Sequence, residues 1–422
     1  MVKPVKRLRI LLSAYACEPN KGSEPGVGWN WALHLSEKFD VFVITRLNNK
    51  TSIEDYIAKH TNKHLHFYFY DCAEYMLKVK HLPNGVFIYY KKWQKEILTI
   101  ARKIVIEEKI DIIHHITFNE FRTPGKLYKI NVPFVWGPIG GGQFYRSVFK
   151  KAYIHKRNIV KEIIRNIINY IYIYFSRDIH NAIKSAAAIL IADQSTEKIM
   201  PSSRNYVRLL ETAYNPERNQ IKVYSQSMSD TIKLLWIGGI WPRKGLKILL
   251  DALGQSDFKD FYLEIIGDGE DRQACERLVK VYGLEDKIHF TGSLSYQDVN
   301  GHYDNADVFI FTSLRDTSGN VILEAMSHGL PVITLNHHGA GEIVTNSTGT
   351  LIEISDYGTI KKDIMKAIKI YSKDRKLVEL QGISARKRIE TMYSWERNMH
   401  IISQVYERVM IDLGKDAAYV DR

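Results

Sequence analysis

The sequence predicts an α/β protein with two Rossmann-like domains, each a doubly wound parallel sheet, that face each other across a cleft. Short apolar runs of strand length alternate with helix-length segments along almost all of the 422 residues. Glycine-rich turns follow several of these runs in both halves, as in open α/β sheets that bind ligands beyond the carboxyl ends of their strands. The charge also divides the chain, with 33 Lys and Arg against 17 Asp and Glu in residues 1–210 and 26 against 30 in residues 211–422.

The composition is that of an ordinary globular protein. A hydrophobic fraction of 45% and a charged fraction of 25% are sufficient for two cores and exclude a disordered chain. The longest uncharged apolar run, Asn166–Ser176, is much shorter than the roughly 20 residues that cross a bilayer. The three cysteines lack metal-ligand spacing, which is typical of a reducing cytoplasm. The basic start of the chain imitates a signal peptide, but an apolar core of about seven residues favours a first buried strand.

The first domain is predicted to span residues 1–212. A βαβ unit opens it, in which the loop CEPNKGSEPGVGW leads from the first strand into a helix that ends near Lys38. A Lys-rich amphipathic helix is expected from about Tyr90 to Lys109, and a second glycine-rich turn contains Gly140–Gly142. The predicted strands are Leu8–Tyr15, Val41–Thr45, His64–Tyr70, Asp111–His115, Val132–Trp136, Ala187–Ala192 and a short strand near Val207–Leu210.

The second domain is predicted to span residues 213–394, with a polar linker at Asn215–Asp230. A final helix is expected from Tyr393 to Met410, within a separate C-terminal segment, residues 395–422. The predicted strands are Ile232–Ile237, Phe261–Ile266, Lys287–Phe290, Asp307–Phe311 and Pro331–Leu335.

The segment Asp307–Leu335 concentrates the most informative chemistry. It predicts a strand, a loop, a helix opened by Ser318-Gly319-Asn320 and a second strand. Glu324 lies one turn after the start of that helix, and Asp316 lies in the loop before it. A helix N-terminus binds anions through its N–H groups while carboxylates accept from hydroxyls, so the pair suits a ligand that combines phosphates with hydroxyls. The alternative is that Asp316 only caps the helix and Glu324 is a solvated mid-helix residue.

A second phosphate-binding turn is predicted after the first strand of the second domain. Its sequence is GGIWPRKG, in which Gly238 and Gly239 precede the cations Arg243 and Lys244. The alternative is an ordinary surface loop with solvated basic residues. Gly267-Asp268 follows the next strand and is expected to face the same crevice.

Three segments together resemble glycosyltransferase family 4. They are SAYACEPNKGSEPGVGW and FVWGPIGGG in the first half and, in the second, Asp316, seven residues, then Glu324 followed by AMSHGLPVI. The family has Glu in place of Asp316 and arginine in place of Gly239. Arg243 is expected to supply the positive charge of that missing arginine. The resemblance implies the GT-B fold, with the last helix returning to the first domain. It also implies retaining transfer of a hexose-type sugar from a nucleotide-diphosphate sugar. This sugar nucleotide is a co-substrate, and no cofactor is expected besides it.

The resemblance also assigns roles to residues. The family places a histidine near the donor sugar after an Asp-x-x-His strand end, a role left open between His114 and His115, since an adjacent pair is also common as a structural feature. With these two, Asp316 and Lys244 are the catalytic candidates. The donor-binding candidates are Gly22, Gly238, Gly239, Arg243, Lys244, Gly267, Asp268, Asp316, Ser318, Gly319, Asn320, Val321 and Glu324. The acceptor-side candidates are Glu24, Gly140, Gly141 and Gly142.

Two features of the sequence bear on metal and on alternative functions. No Asp-x-Asp sequence occurs, so protein cations are expected to stabilise the departing diphosphate in place of a metal ion. An NAD-dependent oxidoreductase would also have two Rossmann-like domains, but neither first strand leads into GxGxxG with an acid about 20 residues on. A non-enzymatic protein that binds polyanions or membranes would account for the basic half, but not for the Asp316–Glu324 segment.

The basic half predicts a second partner besides the nucleotide sugar. Seven Lys or Arg and a single acid, Glu162, lie between Arg146 and Arg165, interleaved with isoleucines. This pattern suits either a core helix with a solvated charged side or a helix that lies on anionic lipid. We expect peripheral binding to the cytoplasmic face of a membrane, a glycan or lipid-linked acceptor, and no nucleic acid partner.

Overall fold

A computed structural model describes residues 7–118, 120–202, 205–214, 231–412 and 414. Two parallel sheets with helices on both faces organise them, so the predicted fold class is confirmed. The predicted linker, Asn215–Asp230, lies outside the described residues.

The first sheet has seven strands, and nearly all residues of its central strands are buried. The spatial order is β3-β2-β1-β4-β5-β6-β7, and each neighbouring pair is parallel. In chain order the strands are β1 (Arg9–Ser13), β2 (Asp40–Thr45), β3 (Leu65–Phe69), β4 (Ile112–His115), β5 (Phe134–Ile139), β6 (Ala186–Ile191) and β7 (Tyr206–Arg208).

The second sheet has six strands in the spatial order β10-β9-β8-β11-β12-β13, again with parallel neighbours. The chain order reverses beside β8, as it does beside β1 in the first sheet, and such switch points open a crevice at the carboxyl ends of the strands. The strands are β8 (Ile232–Ile237), β9 (Phe261–Ile266), β10 (Ile288–Gly292), β11 (Val308–Phe311), β12 (Val332–Leu335) and β13 (Gly349–Ile352).

Fifteen α-helices occur in the described residues. Those of the first half are α1 (Ser23–Lys38), α2 (Lys50–Lys59), α3 (Glu74–Val79), α4 (Gly85–Glu107), α5 (Lys156–Phe175), α6 (Arg177–Ser185) and α7 (Gln194–Ile199). Those that follow are α8 (Leu246–Gly254), α9 (Arg272–Val281), α10 (Asn300–Asn305), α11 (Asn320–Ser327), α12 (His338–Ile343), α13 (Tyr357–Lys373), α14 (Arg375–Met392) and α15 (Trp395–Asp412).

The predicted strands agree with the structure to within two or three residues at either end. β8 and β9 have the predicted bounds, whereas β5 continues to Ile139, so the glycine-rich turn begins later than expected. The predicted Lys-rich helix starts at Gly85 rather than near Tyr90. β13 was not predicted, because its four residues include Gly349 and alternate only weakly in burial.

The helix α15 belongs to the core of the first sheet, although it is the last helix among the described residues. Trp395, Met399, Ile402 and Tyr406 are buried against side chains of β1, β4 and α1. The indole ring of Trp395 lies edge-on to that of Trp31, with 5.9 Å between ring centroids. The hydrophobic contact therefore ties the end of the chain back to its beginning.

Candidate active site

A cleft of about 750 Å³ lies between the two sheets, at the carboxyl ends of their strands. This volume is in the range of small-molecule sites. Residues of both domains form its walls. The sequence-predicted residues that line it are Gly22, Glu24, Gly238, Gly239, Arg243, Lys244, Asp316, Ser318, Gly319, Asn320, Val321 and Glu324.

Asp316 and Lys244 form an ion pair on the wall that belongs to the second domain. Nζ of Lys244 contacts Oδ2 of Asp316, and a guanidinium nitrogen of Arg243 lies 3.9 Å from the same oxygen. Burial raises the pKa of Asp316, but the positive charges of Lys244 and Arg243 outweigh it and lower the pKa below its usual value. The carboxylate is therefore ionised, and two cations lie at the place where an anionic ligand would meet this wall.

The helix α11 begins at the edge of the cleft. Gly319 precedes it with φ +66°, and a Cβ atom there would lie 2.9 Å from the ring of Phe311, so a side chain has no room. The hydroxyl oxygen of Ser318 lies 2.8 Å from the side-chain amide of Asn320. Because the first turn of a helix leaves its N–H groups without intrahelical partners, this end of α11 is suited to a phosphate.

Glu324 lies on the cleft side of α11, one turn further along. The hydroxyl of Tyr303 donates to its Oε2 at 2.8 Å. Burial raises the pKa of Glu324, while the bond from Tyr303 opposes the rise. Tyr303 fixes one carboxylate oxygen and thereby orients the other, so Glu324 is a positioned acceptor rather than a solvated mid-helix residue.

The acceptor-side candidates divide into two groups. Glu24 lines the cleft at the start of α1 and accepts from the backbone N–H of Phe118. Gly140, Gly141 and Gly142 are buried just outside the cleft lining in the described part of the chain. A Cβ atom at Gly140 would lie 2.4 Å from the side chain of Thr317, so this glycine allows the two domains to approach each other.

The helix α5 holds the Gly141 turn from behind. Arg165 donates to the backbone carbonyls of Gly141 and Gln143 at 2.8 and 2.7 Å, and Asn169 donates to Gly141 at 3.3 Å. The same helix carries Glu162, which pairs with Arg315 beside Asp316. One helix of the first domain therefore contacts both walls of the candidate site.

His114 and His115 do not line the cleft in the described part of the structure. His114 is fully buried, with Nδ1 2.7 Å from the hydroxyl of Tyr406 and Nε2 2.7 Å from the carbonyl of Gly137. His115 has Nε2 3.0 Å from the hydroxyl of Tyr90. Burial lowers the pKa of His114 to about 3 and that of His115 to about 4. Both rings are therefore neutral and buried in the core. This geometry does not support the contact with the donor sugar that was expected of one of them.

Gly267 and Asp268 also lie outside the described cleft lining. A Cβ atom at Gly267 would lie 2.0 Å from the carbonyl of Gly238, so this glycine allows close packing against the turn that begins at Gly238. Asp268 accepts from the N–H of Gly269 at 2.7 Å and from Arg272 at 3.1 Å. Its carboxylate is thereby engaged at the start of α9.

Several residues that line the described cleft were not predicted from the sequence, among them Glu211, Tyr296 and Thr317. Glu211 lines the cleft after β7, and Tyr296 lines it on the side of the second domain. Thr317 also lines it and accepts from Nε2 of Gln143 at 3.2 Å, across the two domains. Thr317 lies inside the Asp316–Glu324 segment, whereas Glu211 and Tyr296 stand in no recognisable motif, and a polar residue just after a strand end was the one signal available for Glu211.

The described residues contain no group of three or more His, Cys, Asp or Glu side chains arranged to hold a metal ion. Among their helices, none combines the length and the apolar character needed to span a bilayer.

Comparison with known proteins supports a relationship of this chain to the GT-B glycosyltransferase superfamily. The family model "Glycosyl transferases group 1" matches residues 217–381. The capsular polysaccharide biosynthesis glycosyltransferase CapM of Staphylococcus aureus is 29% identical over 180 residues, which are 41% of this chain and 46% of CapM. The chain spans about half the length of the curated relatives it matches.

Solved structures agree in fold over nearly the whole chain. A glycosyltransferase from Rickettsia africae ESF-5 has a TM-score of 0.65 at 16% identity, over 96% of this chain and 99% of that one. Anabaena Alr3699/HepE in complex with UDP-glucose has a TM-score of 0.59 at 15% identity, over 94% and 99%. These likenesses show the two-domain GT-B fold predicted from the resemblance.

Proposed function

We propose that this protein is a retaining glycosyltransferase that moves a hexose-type sugar from a nucleotide-diphosphate donor to a glycan or lipid-linked acceptor. The observation that carries the proposal is the convergence of Lys244, Asp316, Glu324 and the N-terminus of α11 on one cleft between two domains. Cations and helix N–H groups suit a diphosphate, and positioned carboxylates suit the hydroxyls of ribose and sugar. The match to the group 1 family and to CapM favours a role in cell-surface polysaccharide or glycolipid synthesis.

In this mechanism each wall of the cleft has its own task. Glu324 accepts hydrogen bonds from the ribose hydroxyls, and the diphosphate lies between the N-terminus of α11 and Lys244. Asp316, held by Lys244 and Arg243, exchanges part of that pairing for a hydroxyl of the donor sugar when the donor binds. Binding of the diphosphate recruits the two cations toward the leaving group, where they stabilise the charge that develops as the sugar departs.

The acceptor approaches from the first domain, past Glu24 and the loop that follows Gly22. In a retaining reaction of this class, the acceptor hydroxyl attacks on the face from which the diphosphate leaves. The leaving phosphate is then the nearest base for the hydroxyl proton. We propose that the reaction needs no metal ion and no cofactor, because cationic side chains of the protein act as the counter-ions of the diphosphate.

The acceptor side is also proposed to lie at the cytoplasmic face of a membrane. The outer face of α5 exposes a row of apolar side chains, among them Ile167 at 53%, Tyr174 at 67% and Phe175 at 77%. Lys150, Lys151, Lys156 and Lys161 lie on or next to this helix. Apolar groups that enter the headgroup region, flanked by cations that attract anionic lipid, are the two components of interfacial binding.

The test of the proposed activity is a binding panel followed by turnover. UDP-, GDP- and ADP-sugars are screened by thermal shift, because a ligand at 100 times its Kd stabilises the folded state by about 2.7 kcal/mol. NAD and NADH are included in the panel to test the alternative function of an oxidoreductase. Stabilisation by one class of sugar nucleotide, with release of its diphosphate when lipid or glycan acceptors are added, supports the proposal. Stabilisation by NAD alone contradicts it.

A further inference from the structure

Glu211 is a buried carboxyl group on the floor of the cleft that the proposed mechanism does not use. It follows β7 at the boundary between the two domains, and the residue is 7% exposed. Its Oε1 accepts from the hydroxyl of Ser318, directly before α11. Its Oε2 has no hydrogen-bond partner among the described residues.

The position of Glu211 does not depend on its side chain. The backbone carbonyl of Glu211 accepts from Nε1 of Trp31 at 2.8 Å, and this bond already fixes the main chain against α1. A buried carboxyl oxygen without a partner is costly for the folded protein, since it has lost its water without gaining a donor or acceptor. The side chain is therefore better explained by a ligand than by the fold.

The charges around Glu211 favour its neutral form. The carboxylates of Asp193, before α7, and Asp316, before α11, both face it. The cations Lys244 and Arg243 are engaged by Asp316. Burial, followed by these two carboxylates, raises the pKa of Glu211 to about 7, against the opposing bond from Ser318. Near neutral pH a large fraction of Glu211 carries a proton and can donate a hydrogen bond.

We propose that Glu211 is a further donor-binding residue, whose neutral carboxylic acid donates a hydrogen bond from Oε2 to the diphosphate of the sugar nucleotide. The inference rests on the proposed function, since it places the diphosphate at the N-terminus of α11, beside Ser318. A neutral acid is the form that suits this place, because a carboxylate would repel the phosphate oxygens while a carboxylic acid supplies them with a donor. The proton stays on Glu211 and no covalent bond changes. Binding of the donor is thereby linked to the uptake of one proton above neutral pH.

The experiment is the pH dependence of the Kd for the sugar nucleotide that the panel selects, measured by calorimetry from pH 6 to 8.5 without acceptor. The phosphates of a nucleotide sugar are diesters that do not titrate in this range. If the neutral acid alone binds, the Kd of the wild-type protein rises roughly 30-fold over this interval. Glu324, the other cleft carboxyl with a raised pKa, accepts from ribose and would act in the opposite direction.

Two substitutions of Glu211 identify the group responsible. Glu211→Gln keeps a neutral side chain with a hydrogen-bond donor, so its Kd should stay within a few-fold of the wild-type value at pH 6 and should no longer rise with pH. Glu211→Ala should bind more weakly at pH 6, and its Kd should likewise not rise with pH. Asp193 faces Glu211 but does not line the described cleft. Asp193→Asn removes its negative charge, so the Kd should still depend on pH, with the midpoint of that dependence at lower pH.

The outcomes are distinct from failure of the proposed function. A Kd that is flat with pH in the wild type overturns the inference, as does a Gln variant that loses as much affinity as the Ala variant, because the carboxylate would then be the active form. Thermal unfolding of each variant checks that it is folded. If the wild-type protein binds no sugar nucleotide at all, the proposed function itself fails and the inference falls with it.

Discussion

Arg315 and Glu162 join the two domains by a two-point ion pair. Nε of Arg315 lies 3.0 Å from Oε2 of Glu162, and Nη2 lies 3.1 Å from Oε1. Both side chains are largely buried, and such paired geometry compensates for the water that each charge has lost. Since Arg315 immediately precedes Asp316, the pair holds the loop of the candidate donor site against α5.

The first prediction concerns this ion pair. Removing one partner leaves the other charge buried alone, so Glu162→Ala and Arg315→Met should each lower the free energy of unfolding by about 3 kcal/mol. The double variant should lose clearly less than the sum of the two, which chemical denaturation can measure as a coupling energy. Lys376→Ala, in an exposed pair with Glu379, is the matched control and should cost less than about 1 kcal/mol. Full additivity of the two buried changes would contradict the structural role of the pair.

The second prediction concerns Glu324 and the ribose. Glu324→Ala should weaken binding of the nucleoside diphosphate by about 1.5–3 kcal/mol, the scale of a hydrogen bond to a charged group. Tyr303→Phe removes the bond that orients the carboxylate and should weaken binding by less. Calorimetry on the same nucleotide measures both. An unchanged affinity in the alanine variant would remove the ribose assignment.

The third prediction concerns Lys244 as the counter-ion of the diphosphate. Turnover should survive EDTA, and Lys244→Met should lower kcat by about 100-fold or more, because the leaving group loses a positioned charge. Lys247→Met is the matched control, since Lys247 pairs with Asp251 on α8 and does not line the described cleft. If EDTA abolished turnover and magnesium restored it, the metal-free mechanism would be wrong.

The fourth prediction uses Glu211 as a reporter of stability. Its pKa of about 7 in the folded protein lies above the usual value near 4.3 in an unfolded chain. Between these two values the unfolded state has already lost the proton that the folded state keeps, so the free energy of unfolding falls as pH rises from about 4 to 7. Glu211→Gln has no such proton to lose. It should therefore be more stable than the wild type at pH 8, by roughly 3–4 kcal/mol, with a much smaller difference at pH 4.

The sequence was sufficient to predict most of the strands and the residues of one wall of the candidate site. β8 is an apolar run bounded by turn residues, so both of its ends could be predicted. Asp316 and Glu324 could be placed because the spacing between them spans a single loop and one helical turn.

Other features depend on contacts that are distant in sequence. The burial of His114 depends on Tyr406, 292 residues further along, which no local pattern reveals. Glu211 belongs to the site because the second domain brings Ser318 onto it, 107 residues away. The strands on or next to which His114 and Glu211 lie were predictable. The direction and the environment of their side chains were not, since tertiary packing decides them.

The last prediction concerns the outer face of α5. Ile164 and Ile167 are about half exposed in the described structure, at 50% and 53%, and their side chains would enter the headgroup region of a membrane. The protein should sediment with vesicles that contain anionic lipid at low salt and be released by high salt, since each Lys or Arg near the surface contributes about 1 kcal/mol that salt screens.

A double variant with a matched control tests which surface is responsible. Ile164→Ser with Ile167→Ser should reduce the bound fraction at least about tenfold, because two apolar side chains no longer enter the interface. Ile106→Ser, an exposed isoleucine at 77% on α4, should leave binding unchanged. Thermal unfolding should be nearly the same for all of these variants, since the altered side chains are exposed. Equal binding to neutral and anionic vesicles, or none to either at low salt, would mean that the charges of α5 are only solvated and would favour an acceptor that is not held in a membrane.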